Sequence, residues 1–156
     1  MSLPHALKLG SGISCILRLA GENDLQQICE VFEEHAGIPA QSEAIRQHLR
    51  TTHREFCHQY LVAESDGRVI AFGSRCQDTI KLLLRRPAVL YKGSGGAVLG
   101  ALEGLIRDDK WDEVQLRADL INGVGNVSKL IKFYLDQGYY SCPGGYTMKK
   151  MLSADS

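Results

Sequence analysis

Between Tyr91 and Gly100 the chain reads YKGSGGAVLG: a lysine, a run of glycines and other small residues, then the start of an apolar stretch at helical spacing. Flexible backbone placed directly before a helix suits one kind of chemistry. A helix N-terminus leaves its first amides without intrahelical partners, and the aligned peptide dipoles favour negative charge there. A phosphate or pyrophosphate fits such a turn. Glycines let the main chain approach the anion closely, and Lys92 adds a point charge. The same turn also serves as a plain tight connection, and from the motif alone both readings stand. No Gly-Lys-Ser or Gly-Lys-Thr closes the turn, and no βαβ unit of dinucleotide spacing begins the chain, so two familiar phosphate motifs are excluded.

Other reactive residue types read more plainly. His53 and His58 lie five apart in a stretch without clear helical pattern, and are taken as surface histidines rather than a metal pair. Cys142, before Pro143, has no identifiable basic partner that would make it a nucleophile. Trp111 is read as a packing residue between a helix end and a strand, and Lys149 and Lys150 as charges on an edge strand.

The elements that must position the glycine turn come next. The chain has 156 residues, 44% hydrophobic and 23% charged, which suits one globular domain with a real core. Its formal net charge is zero, so neither nucleic-acid nor membrane binding has a general electrostatic footprint. Five cysteines without CxxC or Cys/His metal spacing are read as reduced thiols. With no leader pattern and no long apolar run, the expectation is a soluble, cytoplasmic protein.

Residues 1–13 carry little pattern and are expected as a loose N-terminal arm, ahead of a single domain over 14–152. Ser14 to Leu19 suits a strand, and Leu25, Ile28, Phe32 and Ala36 repeat at helical spacing. Ser42 caps a second expected helix. The segments 60–64 and 68–75 flank Ser65-Asp66-Gly67, a hairpin signal, and a further strand spans 79–86. After the glycine turn come a helix to about Asp109, a strand over 113–118, a helix over 127–137 stopped by Gly138, and two short final strands. The order β-α-α-β-β-β-α-β-α-β-β predicts an α/β fold, a mixed sheet with helices packed on it.

That order, with KGSGGA before a helix and FYLDQGY near the C-terminus, resembles the GNAT superfamily of acyl-CoA-dependent N-acyltransferases over roughly residues 15–152. In that family a segment Arg/Gln-x-x-Gly-x-Gly/Ala holds the pyrophosphate of coenzyme A on its amides. Lys92, Gly93, Ser94, Gly95, Gly96 and Ala97 fill it here, with lysine in the first place. The second mark, Phe-Tyr-x-x-x-Gly-Phe/Tyr, is matched by Phe133, Tyr134, Gly138 and Tyr139.

The resemblance implies a GNAT-like, mostly antiparallel central sheet flanked by helices. It also implies an N-acetyltransferase that moves an acetyl group from acetyl-CoA to a primary amine by direct attack, without a metal. Tyr134 would be the general acid toward the leaving thiolate. The main chain of Leu82, Leu83 and Leu84 would pair with the pantetheine arm and polarise the acyl carbonyl, and Asn126 would bond to the same arm, although a helix N-cap role explains Asn126 as well. The partners implied are the acyl-CoA and an amine acceptor, a small molecule or a protein amine, with no nucleic acid or membrane; a homodimer stays open. Lys81, Arg85 and Arg86 could help with phosphates but are read as solvated strand-end charges.

Three departures from the family pattern bear on the site. The stretch from Pro87 to Lys92 is about two residues longer than usual. Asn126 lies one residue farther from Phe133 than the family's asparagine, which makes Asn122 a rival. No Asp or Glu lies within 79–86, so a general base must come from Glu64, Asp119, His35 or water. The missing carboxylate and the altered spacing motivate an alternative, a non-catalytic CoA- or acyl-CoA-binding module.

Overall fold

A computed structural model describes residues 2–36, 58–119 and 127–152. The expected second helix, His53, Asn122 and Asn126 lie outside the described residues. The strands are β1 (His5–Lys8), β2 (Ser14–Leu19), β3 (His58–Ser65), β4 (Arg68–Cys76), β5 (Thr79–Arg85), β6 (Glu113–Arg117), β7 (Tyr140–Ser141) and β8 (Thr147–Met151), and the helices are α1 (Leu25–Ala36), α2 (Ser94–Asp108) and α3 (Val127–Asp136). The strands form one sheet in the order β1-β2-β3-β4-β5-β6-β8-β7. Every neighbouring pair is antiparallel except β5 with β6.

The helices divide between the two faces. Val98, Leu99, Leu102 and Ile106 of α2 pack with Tyr134 of α3 and with Leu17, Leu61, Ile70, Leu83 and Leu116 of the sheet. Ile28, Cys29 and Val31 of α1 pack on the opposite side with Val62, Val69, Phe72 and Leu84. β4 is therefore covered on both faces, and its residues from Val69 to Arg75 are all buried. Gly73 is where α2 comes closest: a Cβ there would lie 2.7 Å from Leu102 Cδ1 and 3.0 Å from both Val98 Cγ1 and the Leu82 carbonyl.

Turn chemistry sets the hairpin registers. Asp66 and Gly67 both have positive φ, 50° and 78°, and join Ser65 directly to Arg68 in the geometry that matches strand twist. Two expectations need correction. Residues 5–8, placed in a loose arm, form β1, paired with β2 from His5↔Leu17 to Lys8↔Ser14. A four-residue strand with one half-buried side chain, Leu7, is too short to leave a visible pattern. Cys76, read as a reduced thiol, is disulfide-bonded to a partner outside the described residues, while Cys15, Cys29 and Cys142 are free. Spacing along the chain could not reveal a pairing made by the fold. Among the described residues no helix is long and apolar enough to cross a membrane.

Candidate functional site

β5 and β6 meet at a single register pair, Thr79↔Gln115, reinforced by the Gln115 amide donating to the Asp78 carbonyl at 3.0 Å. Beyond it the two parallel strands part. A bulge contributes to the parting: Ser74 faces Leu82 and Arg75 faces Ile80, which leaves Lys81 as the extra residue. Such a bulge bends its strand and raises its twist. A cleft of about 250 Å³ opens there, lined by Thr79, Ile80, Lys81, Gln115, Leu116, Arg117 and Thr147. From Ile80 onward β5 has no strand partner on its β6 side among the described residues.

The three leucines divide their side chains between the two cores. Leu83 is buried on the α2 face, Leu84 on the α1 face, and Leu82 packs partly against the α1 cluster. Their main chain is thus held rigidly along the open edge.

β5 leads directly to the glycine turn. Gly93 takes φ 93° as the N-cap of α2, a conformation that costs glycine nothing. Ser94 is buried and its hydroxyl donates to the Tyr91 carbonyl at 2.6 Å. Within α2 the first bond back is from the Ala97 amide to the Gly93 carbonyl, so the amides of Ser94, Gly95 and Gly96 have no backbone partner among the described residues. A Cβ at Gly96 would meet nothing within 4 Å, and one at Gly95 only the Arg85 stem at 3.9 Å. Unpaired amides at the positive end of a fifteen-residue helix, with open space beside Gly95 and Gly96, fit a pyrophosphate. Lys92 is exposed beside them, without an ion-pair partner among the described residues.

The three basic residues read as solvated charges behave differently from one another. Arg86 is buried and committed: its Nε donates to the Val69 carbonyl at 2.7 Å, and its other nitrogens meet Glu34 at 2.9 Å and Glu30 at 3.4 Å. Arg85 lies along Gly95 and, among the described residues, donates only to the carbonyls of Arg86 and Ala88, at 3.0 and 3.4 Å. It is a cation beside the turn that the sequence reading left aside. Lys81 lines the cleft.

Phe133, Tyr134, Gly138 and Tyr139 come together through the end of α3. The Tyr139 amide donates to the Tyr134 carbonyl and the Gly138 amide to the Leu135 carbonyl, both at 3.0 Å, with Gly138 at φ 95°. This is a Schellman cap, and it explains the spacing of the motif. The cap folds the Tyr139 ring back against Tyr134, edge to face at 5.5 Å, with Phe133 edge-on to Tyr134 at 5.0 Å. Tyr134 is 1% exposed and shares a packed cluster with Ile80, Leu83 and Leu116 of the two parting strands, yet it does not line the cleft. Among the described residues its hydroxyl has no hydrogen-bond partner. Burial pushes its phenol above the ordinary tyrosine range, and the Glu103 carboxylate adds to the effect.

Glu103 went unnoticed in the sequence. It is buried on α2, where it accepts from the Tyr139 hydroxyl at 2.7 Å and from Lys150 Nζ at 3.1 Å. The only signal was a carboxylate inside the apolar run of that helix.

The base candidates also separate. Glu64 accepts from Arg18 Nε at 2.7 Å, and Arg18 in turn holds Asp24 at 2.7 Å. Asp119 is held by Arg117 at 2.7 Å. His35, in the last turn of α1, is kept below the usual histidine range by burial and by the Arg85 guanidinium, against hydrogen bonding to the Arg85 backbone. Among the described residues no group of His, Cys, Asp and Glu could hold a metal ion.

No protein-family model matches the sequence, and no curated protein does. Solved structures do. The PaiA N-acetyltransferase of Thermoplasma acidophilum, determined with coenzyme A, superposes with a TM-score of 0.67 at 18% identity, covering 89% of this chain and 99% of that one. The GNAT domain of S. lividans Pat gives 0.71 at 17% identity, with 95% and 96% covered. An aminoglycoside 6'-acetyltransferase of type Ii gives 0.68 at 13%, with 87% and 96% covered. The parallel pair β5 and β6 parting inside an otherwise antiparallel sheet, with a helix N-terminus at the end of β5, belongs to the same architecture: the chain has the GNAT acetyltransferase fold.

Proposed function

We propose that the protein is an N-acetyltransferase that takes its acetyl group from acetyl-CoA and passes it to a primary amine. One observation carries this reading: the amides of Ser94, Gly95 and Gly96, without a backbone partner among the described residues, stand at the end of a strand whose edge opens into a cleft. The thioester supplies an activated carbonyl, and the protein has to hold it, orient it and manage two protons.

In this reading the Ser94, Gly95 and Gly96 amides, with Lys92 and Arg85 beside them, hold the pyrophosphate; Gly93 and Ala97 shape the turn. The backbone of Leu82, Leu83 and Leu84 pairs with the pantetheine arm as an added strand would. Its amides are placed to polarise an acyl carbonyl. Asn126 remains a proposed contact to the same arm.

Tyr134 keeps its proton at any working pH, because burial and Glu103 both favour the neutral phenol. A thiol titrates near 8.5 and a free phenol near 10, so full transfer to a thiolate is uphill by about 2 kcal/mol even before burial is counted. Tyr134 therefore acts chiefly as a neutral donor to the leaving sulfur, which completes its protonation later. For the amine's proton, Glu64 and Asp119 are held in ion pairs and His35 sits beside Arg85 at the anion end of β5, which favours water as the acceptor.

A second reading, a CoA-binding module without turnover, is favoured by the burial of Tyr134 and by the lack of a carboxylate on β5. Calorimetry with acetyl-CoA, then thiol release with a panel of amines, separates the two. Binding with amine-dependent thiol release supports the enzyme, binding without release supports the module, and no binding by folded protein refutes both.

A further inference from the structure

We infer that the turn between β1 and β2 positions the phosphate-binding turn, with Ser11 and Leu9 as the positioning residues. The inference rests on the coenzyme A reading given above. Three observations carry it. The Ser11 hydroxyl donates to the Leu90 carbonyl at 2.7 Å, across 79 positions of chain. Leu9, 6% exposed and part of the α2-face core, approaches the place a Gly93 Cβ would occupy to 4.0 Å. The turn itself is closed by the Leu9 amide donating to the Ile13 carbonyl at 2.8 Å and the Gly12 amide donating to the Leu9 carbonyl at 2.9 Å, with Gly12 at φ 94°.

The segment these contacts hold is only partly anchored. Val89 and Leu90 are 83% and 52% exposed, and of the apolar side chains between β5 and α2 Tyr91 alone packs on the core. It is also the stretch that runs about two residues longer than the family spacing. Ser11 grips that excess at Leu90, four residues before the first free amide. Leu9 packs beside Gly93, the residue whose left-handed backbone aims those amides. Residues that a sequence reading assigns to a loose arm thus set the conformation of the anion site.

A positioning role differs from a merely structural one in which donor it affects. Loss of Ser11 should weaken only ligands that carry a pyrophosphate. The test compares full-length wild type, Ser11→Ala and Ser11→Thr, with calorimetry against coenzyme A and steady-state kinetics with acetyl-CoA and acetyl-pantetheine. The expected result for Ser11→Ala is a roughly three- to tenfold weaker Kd for coenzyme A and a matching rise in KM for acetyl-CoA, at unchanged kcat. KM for acetyl-pantetheine should stay the same, and Ser11→Thr should restore the wild-type values. Leu9→Ala should show the same donor selectivity along with a lower Tm.

Unchanged coenzyme A affinity in Ser11→Ala overturns the inference while the function stands. Equal weakening toward both donors overturns it as well, by marking a general structural role. Failure of wild type to bind coenzyme A overturns the functional reading, and this inference with it.

Discussion

Tyr134→Phe separates packing from chemistry at one atom. The ring is 1% exposed and sits edge-on to Phe133 and Tyr139, and the substitution keeps every one of those contacts. The hydroxyl has no partner among the described residues, yet it is not one of the fully buried polar atoms left without one, so its removal should change stability by less than about 1 kcal/mol, roughly 2–4 °C in Tm for a chain of this size. Turnover should behave differently. A positioned proton donor contributes about 10²–10⁴-fold, and kcat for acetyl-CoA should fall by that order while the Kd for coenzyme A holds. The assays are calorimetric melting, calorimetric titration and thiol release. A variant as active as wild type would refute the donor role and return Tyr134 to the core, whereas one that melts several degrees lower would show that the hydroxyl has a partner.

Gly73→Ala should destabilise by about 1–3 kcal/mol, seen as a lower urea midpoint, because its Cβ would press on Leu102, Val98 and the Leu82 carbonyl; an unchanged midpoint would mean that α2 moves off β4 at no cost. Glu103→Gln should let Tyr134 and Tyr139 ionise at lower pH than in wild type, read by phenolate absorbance, since the Glu103 charge raises both. In wild type the two phenols hold protons that the unfolded chain releases above about pH 10, so stability should fall as pH rises past that point. A wild-type-like alkaline titration in Glu103→Gln would count against the coupling. Asp24→Asn should be less stable than wild type near pH 7, with the difference vanishing in acid: its carboxyl is lowered by the Arg18 hydrogen bond first, so the contribution is present above the ordinary aspartate range and disappears as pH falls through the folded value. Equal urea midpoints at pH 7 for variant and wild type would argue against it.

Patterns that repeat were legible in the chain; contacts between distant residues were not. The spacing of Leu25, Ile28, Phe32 and Ala36 located α1 to its end residues, and Asp66-Gly67 located the β3–β4 turn, because each signal is local and backbone-encoded. Lys92 to Ala97 fell at the N-terminus of α2 for the same reason. Gly138 was readable as a helix stop, though not as the cap that folds Tyr139 onto Tyr134. The bulge at Lys81 was invisible, since an extra residue in one strand exists only relative to the other. Arg85 and Arg86 are neighbours of identical type, yet one is buried on Glu34 and the other lies over Gly95; only the direction of each side chain separates them, and periodicity through a bulge no longer gives that direction. Ser11 with Leu90, and Cys76 with its partner, belong to the same class of pairings made by the fold.

The open edge of β5 also works as a ruler. From Ile80 to Arg85 it runs six residues, roughly 20 Å at about 3.3 Å per residue. Whatever extended chain lies along it while its anionic end rests on the amides of Ser94 to Gly96 has its other end delivered near Thr79, where β6 closes the gap. On the proposed function, that edge would measure the donor by length: a thioester on a shorter arm would reach the anion turn or the closed end of the cleft, but not both.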